Sequence, residues 1–180
     1  EIAFALQHED LAGIFGKLLE NGEVPLRVTH NDTKLNNIMI DLETGKGICV
    51  VDLDTVMPGL AMNDFGDAIR FGASTALEDE KDLSKVSCDM ELYEIYVKGF
   101  LESCGDKLNA REIEMLPMGA KVMTYECGIR FLTDYLEGDH YFKIDREDHN
   151  LDRCRTQFKL VADMEQKWEQ MQAIVKKYQK

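Results

Sequence analysis

The stretch Thr29-His30-Asn31-Asp32-Thr33-Lys34-Leu35-Asn36-Asn37 has the spacing His-x-Asp-x-x-x-x-Asn, and Cys49-Val50-Val51-Asp52-Leu53-Asp54 follows after a short turn. Those residue types suit phosphoryl transfer from a nucleotide. A hydroxyl that attacks a phosphoryl group must be held in line and must pass its proton to an acceptor, and a loop carboxylate such as Asp32 can do both. Asn37 offers a neutral amide oxygen to a hard divalent cation that keeps several waters, and Asp52 adds one carboxylate from a separate strand end. A bridging Mg²⁺ would offset the charge of the phosphates. His30 reads as a brace for the loop rather than a proton carrier. Asp54 reads either as a second acidic group beside the metal or as a solvated turn residue.

Short extended elements must position these groups. Leu26 to Thr29 and Ile38 to Ile40 are apolar and β-branched on either side of the loop, and Asp41 to Gly47 is a turn into Ile48-Cys49-Val50-Val51. The expected order is strand, loop, strand, turn, strand, with Asp32 and Asp52 at element ends.

The rest of the chain has helical spacing. Met62 to Phe71 groups Phe65, Ala68, Ile69 and Phe71, with Asp64 as an N-terminal cap. Met90 to Cys104 predicts a helix ending near Gly105. Asn109 with Glu112 resembles a capping box that opens a stretch to Gly138, with Pro117 as an interruption. From about Asp148 to Tyr178, Leu151, Cys154, Phe158, Val161, Met164, Trp168, Met171 and Val175 form a core stripe. Glu78 to Asp82 reads as a solvated charged loop. The fold class expected is α+β, predominantly helical, with a small β-hairpin that carries the catalytic and metal loops.

Composition narrows the function. The chain has 180 residues, 44% of them hydrophobic, enough for one core and one domain. A net charge of −13 argues against nucleic-acid or anionic-membrane partners. Five scattered cysteines without a Cys-x-x-Cys pair indicate neither a disulfide framework nor a zinc site, and the expected compartment is the reducing cytoplasm.

Before Leu26 only one helix-like stripe is visible, through Ile2, Leu6, Leu11, Ile14, Phe15, Leu18 and Leu19. No glycine-rich nucleotide loop or phosphate-gripping strand lysine precedes the motif. The expectation is that residues 1–180 form the C-terminal catalytic lobe of a longer kinase, that the N-terminal nucleotide-binding lobe of the same protein lies outside this sequence, and that these residues alone lack activity.

His30-Asn31-Asp32 through Asn37, Val51-Asp52-Leu53-Asp54-Thr55-Val56-Met57-Pro58-Gly59 and Asp64-Phe65-Gly66-Asp67 together resemble the aminoglycoside phosphotransferase and choline kinase superfamily. Within it, Asn31 to Asn37 and Asp52 to Gly59 are most similar to the N-acetylhexosamine 1-kinases. The dense match covers about residues 26 to 75. The resemblance implies ATP and Mg²⁺ as co-substrate and cofactor, and GlcNAc or GalNAc as the acceptor. It implies Asp32 as catalytic base, Asn37 and Asp52 as magnesium ligands, and Arg130 and Tyr141 as sugar-binding groups. Arg130 would serve equally as an ion-pair partner within the lobe, and Tyr141 as a core-closing ring.

Three other functions compete. A kinase of choline, ethanolamine, homoserine or an aminoglycoside would suit the acidic chain, and a quaternary ammonium would need Phe131, Tyr135, Tyr141, Phe142 and Trp168 to converge as an aromatic cage. Sulfatase chemistry of the mucin-desulfating kind needs Cys-x-Pro-x-Arg, and none of the five cysteines starts one. An inactive kinase-like binding module is disfavoured by the intact Asp32, Asn37 and Asp52.

Overall fold

Apolar residues at three- and four-residue spacing from Ala61 onward fold as helices, and the β-branched runs before them fold as short strands. The computed structural model describes residues 1–179. It contains helices α1 (Ile2–Gln7) and α2 (Ile14–Glu20) and strands β1 (Arg27–Thr29), β2 (Ile38–Ile40), β3 (Gly47–Val50) and β4 (Met57–Gly59). Helices α3 (Ala61–Gly72), α4 (Met90–Cys104), α5 (Ala110–Glu114), α6 (Leu116–Glu137), α7 (His149–Gln166) and α8 (Trp168–Tyr178) complete it. The mainly helical α+β class matches the expectation.

The first apolar stripe is not one helix. α1 stops at His8, whose ring stacks on Phe4 with centroids 4.1 Å apart, and a 3₁₀ turn over Glu9–Gly13 re-aims the chain. That turn lets Leu11, Phe15 and Leu18 reach the core while Ile2 and Leu6 stay exposed.

The strands form two separate antiparallel pairs. β2 and β3 make the expected hairpin, with Ile38 opposite Val50 and Met39 opposite Cys49. β1 pairs instead with β4, Thr29 opposite Met57 and Arg27 opposite Gly59. The sequence did not signal β4, because Met57-Pro58-Gly59 carries the two residues most depleted in strands; it has a single partner, so Pro58 sits on an edge.

Two glycines set the spacing of the core. A Cβ on Gly119 would lie 2.2 Å from the Met62 carbonyl oxygen, and one on Gly66 would lie 2.2 Å from the Gly119 carbonyl oxygen. Contacts step from Met62–Gly119 to Gly66–Met123 and on to Arg70 beside Cys127, so α3 and α6 run side by side in the same direction. α7 packs antiparallel on α6, with Phe158 against Gly128 and Asn150 bonded to Asp134.

Local signals hold the helix ends. Asn109 and Glu112 form both arms of the capping box, and Pro117 lies in the first turn of α6, after a break at Met115. The fully buried Glu112 also takes both guanidinium bonds of Arg27 at 2.6 Å, which ties β1 to α5. The C-terminal stripe breaks at Lys167, whose Nζ donates to Asp163 and to the Cys88 carbonyl. Burial pushes the thiols of the core residues Cys88 and Cys154 up to about 12 and that of the partly buried Cys127 to about 11, away from the range of reactive thiolates. Among the described residues no helix is long and apolar enough to cross a membrane.

Candidate active site

The loops after β1 and β3 each hold a left-handed residue. Asn31 sits at φ 63°, a conformation asparagine tolerates because its short amide bonds locally. Its Nδ2 donates to the Thr55 carbonyl at 2.9 Å and its Oδ1 accepts from Thr29 Oγ1 at 2.8 Å. Thr55 Oγ1 in turn donates to the His30 carbonyl at 2.6 Å. Asp52, at φ 64°, turns the chain out of β3.

Asp64 anchors the loop from α3. Its two carboxylate oxygens accept the backbone N–H groups of His30 and Asn31, each at 2.8 Å, and Thr33 Oγ1 donates to its carbonyl. The expectation that Asp64 caps the helix is therefore corrected: α3 begins at Ala61 with Leu60 at the cap, and Asp64 is spent on the loop. His30 Nε2 lies 3.1 Å from the Val51 carbonyl, linking the loop to the end of β3, while its Nδ1 is buried without a partner.

Asp32 projects from this frame. Its Oδ2 accepts from Lys34 Nζ at 2.7 Å and from Asn37 Nδ2 at 2.8 Å, and the same Nδ2 also bonds the Asp32 carbonyl at 2.9 Å. Oδ1 takes part in no hydrogen bond among the described residues. Burial raises the Asp32 pKa, but the hydrogen bonds from Lys34 and Asn37 outweigh it and hold the carboxyl below its ordinary value. Lys34 was not among the sequence candidates, and only its position two residues after Asp32 could have signalled it.

The hairpin brings Asp52 alongside Asn37. The Val51 N–H donates to the Asn37 carbonyl at 2.9 Å, one step beyond the Ile38–Val50 pair, so Asp52 leaves the ladder next to Asn37. Because Asn37 Nδ2 is committed to Asp32, its Oδ1 is left as a free acceptor. Asp52 and Asp54 are exposed and make no ion pair among the described residues. No cluster of three or more His, Cys, Asp or Glu side chains that could hold a metal occurs among those residues. The donor set of one amide oxygen and one carboxylate fits Mg²⁺, which retains waters and substrate oxygens, better than a metal needing a full protein cage.

Arg130 and Tyr141 form a second group. Arg130 Nη2 lies 3.5 Å from the Tyr141 hydroxyl, and its guanidinium covers the rings of Tyr141 and Phe142 at 5.8 and 5.4 Å. Asp134, one turn on in α6, accepts the backbone N–H groups of His140, Tyr141 and Phe142 and so fixes the loop beside Arg130. No hydrogen bond or ion pair joins this group to Asp32 among the described residues. The proposed aromatic cage does not assemble: Phe131, Phe142 and Tyr141 are neighbours, but Tyr135 bonds Asp148 and Trp168 lies under Lys121.

The chain is thus a mainly helical α+β fold in which a loop anchored by Asp64 adjoins the β2–β3 hairpin. Residues 2–94, just over half of the chain, match the model of the phosphotransferase enzyme family APH. The chain belongs to that family.

Proposed function

We propose that the protein transfers the γ-phosphoryl group of ATP, with Mg²⁺, to the anomeric hydroxyl of an N-acetylhexosamine, releasing the sugar 1-phosphate and ADP. The observation that carries this reading is the asymmetry of Asp32: Oδ2 is held by Lys34 and Asn37, and Oδ1 is left to receive a proton. As the sugar oxygen bonds to phosphorus and the bridge to the β-phosphate breaks, the hydroxyl proton passes to Asp32. Asn37 Oδ1 and the Asp52 carboxylate would hold Mg²⁺, which when bound neutralises phosphate charge. Lys34, next to the base, adds positive charge where the transferred group arrives.

The acceptor is argued from Arg130 and Tyr141. Tyr141 is 75% exposed and offers a ring face and a hydroxyl, which suit a pyranose with its apolar face and polar edge. Choline is disfavoured by the same cluster, because Arg130 and Arg153 already cover the Tyr141, Phe142 and Phe131 rings, and a second cation would compete with them.

The nucleotide-binding lobe belongs to this reading too. Val28, Met39, Ile48, Val50 and Met57 leave the strand pairs with exposed apolar faces, a fitting surface for a strand-rich lobe of the same protein. A reducing cytoplasm suits the five unpaired cysteines. The test is an acceptor panel with the full-length enzyme, ATP and Mg²⁺. GlcNAc or GalNAc turnover to the 1-phosphate is expected, and exclusive turnover of choline, homoserine or an aminoglycoside would overturn the assignment.

A further inference from the structure

Beside the Asp64 anchor, a cavity of about 390 Å³ opens between the loop after β1, α3 and α4, a volume within the range of small-molecule sites. Three rings form its walls: Phe65 of α3 with Tyr96 and Phe100 of α4, the Phe65 and Phe100 centroids lying 5.2 Å apart and tilted. Ile95, 65% exposed, and Ile38, 40% exposed, keep the lining apolar out to the surface.

Gly99 keeps this space open. It stands inside α4, where glycine weakens a helix relative to alanine, yet a Cβ on it would meet nothing within 4 Å, so no close packing requires it. Gly72 of α3 is the opposite case: a Cβ there would lie 2.1 Å from Tyr96 Oη, so this glycine seats the Tyr96 hydroxyl against α3. One glycine admits a wall of the cavity and the other leaves its floor bare.

Charge selects the occupant. Asp64 is the one charged residue of the lining; its carboxylate oxygens are taken by the His30 and Asn31 N–H groups and its carbonyl by Thr33. An ion entering here would give up water and find no free counter-charge, and a sugar would bury hydroxyl groups without partners. The Tyr96 hydroxyl makes no hydrogen bond among the described residues and can serve a single polar atom. A flat neutral ring with one such atom meets all of these conditions.

We propose that this cavity binds a small neutral aromatic molecule, held by the rings of Phe65, Tyr96 and Phe100 against the Asp64 anchor. The proposal does not depend on the kinase reading. The test is calorimetric titration of the full-length protein, without nucleotide or sugar, with indole, the cation tryptamine and the anion indole-3-acetate. Saturable indole binding is expected, roughly tenfold or more tighter than that of either ion. Gly99→Leu extends a side chain into the open floor and is expected to weaken indole binding roughly tenfold or more with Tm no lower than that of the unmodified protein. Undiminished binding in Gly99→Leu would overturn the proposal, as would preference for either ion. No saturable indole binding to the unmodified protein would refute the site, as expected if another part of the full-length chain fills the cavity. Hydrogen exchange on the unmodified protein gives an answer even if Gly99→Leu does not fold. Indole-dependent protection should fall in 64–68 and 95–100, and protection confined to other segments would refute the placement.

Discussion

Asp64 grips Asn31: the carboxylate of α3 accepts the Asn31 N–H at 2.8 Å while its other oxygen accepts that of His30 at 2.8 Å. A loop residue in the left-handed region is thereby pinned to α3, within a helix turn of the close Met62–Gly119 approach of α3 and α6. Asp64→Ala leaves both N–H groups without their charged acceptor and is expected to cost about 2–4 kcal/mol. The full-length enzyme should show a lower Tm together with a reduced kcat; an unchanged kcat would mean that the loop holds its shape without the anchor.

Asp32→Asn removes the proposed proton acceptor and keeps the shape. We expect kcat to fall by about 10²–10⁴-fold with Tm nearly unchanged, since Asn can still accept from Lys34 and Asn37. Near-normal turnover would exclude Asp32 as the base.

Lys34→Met acts on the base through charge. Lys34 and Asn37 together lower the Asp32 pKa against the upward push of burial, so loss of the ammonium lets it rise. The proposed mechanism uses the ionised carboxylate, so the acid limb of kcat/KM should move to higher pH, with Lys34→Arg restoring most of the original profile. An unmoved limb in Lys34→Met would refute this coupling.

Asp134 makes the Tyr141 loop sensitive to acid. Burial raises its pKa, but the N–H groups of Phe142, Tyr141 and His140 outweigh that and hold it below the ordinary value. A depressed folded pKa means that its stabilising contribution is complete above the unfolded value and is lost as pH falls through the folded one. Asp134→Asn should lower Tm at neutral pH and flatten the decline of Tm on acidification, measured by calorimetry across that range.

Gly119→Ala tests the helix crossing. The new methyl would lie 2.2 Å from the Met62 carbonyl oxygen, so α3 and α6 must separate. A loss of about 1–3 kcal/mol is expected in denaturant unfolding, and because α3 carries Asp64, kcat should fall as well.

Much of this was legible from order along the chain. The β2–β3 hairpin, the capping box at Asn109, the break before Pro117 and the end of α4 near Gly105 depend on residues close in sequence, and local rules reach that far. The apolar stripe before Leu26 misled, because its period ignores the stop at His8 and the 3₁₀ turn that follows. β4 was silent because its partner, β1, lies across the whole hairpin.

By itself the sequence determined where the groups proposed for phosphoryl transfer stand: Asp32, Asn37 and Asp52 are placed by short-range spacing and by a hairpin whose turn is encoded nearby. Tertiary structure alone decided what surrounds them. Asp64 became an anchor rather than a cap because the crossing of α3 beneath the loop put its carboxylate under two free N–H groups. Glu78 and Asp79 turned inward because Arg70 of α3 and Arg146 and His149 around the start of α7 converged on them. Hydrogen bonds and ion pairs of this kind depend on distance in space, and spacing along the chain carries no record of it.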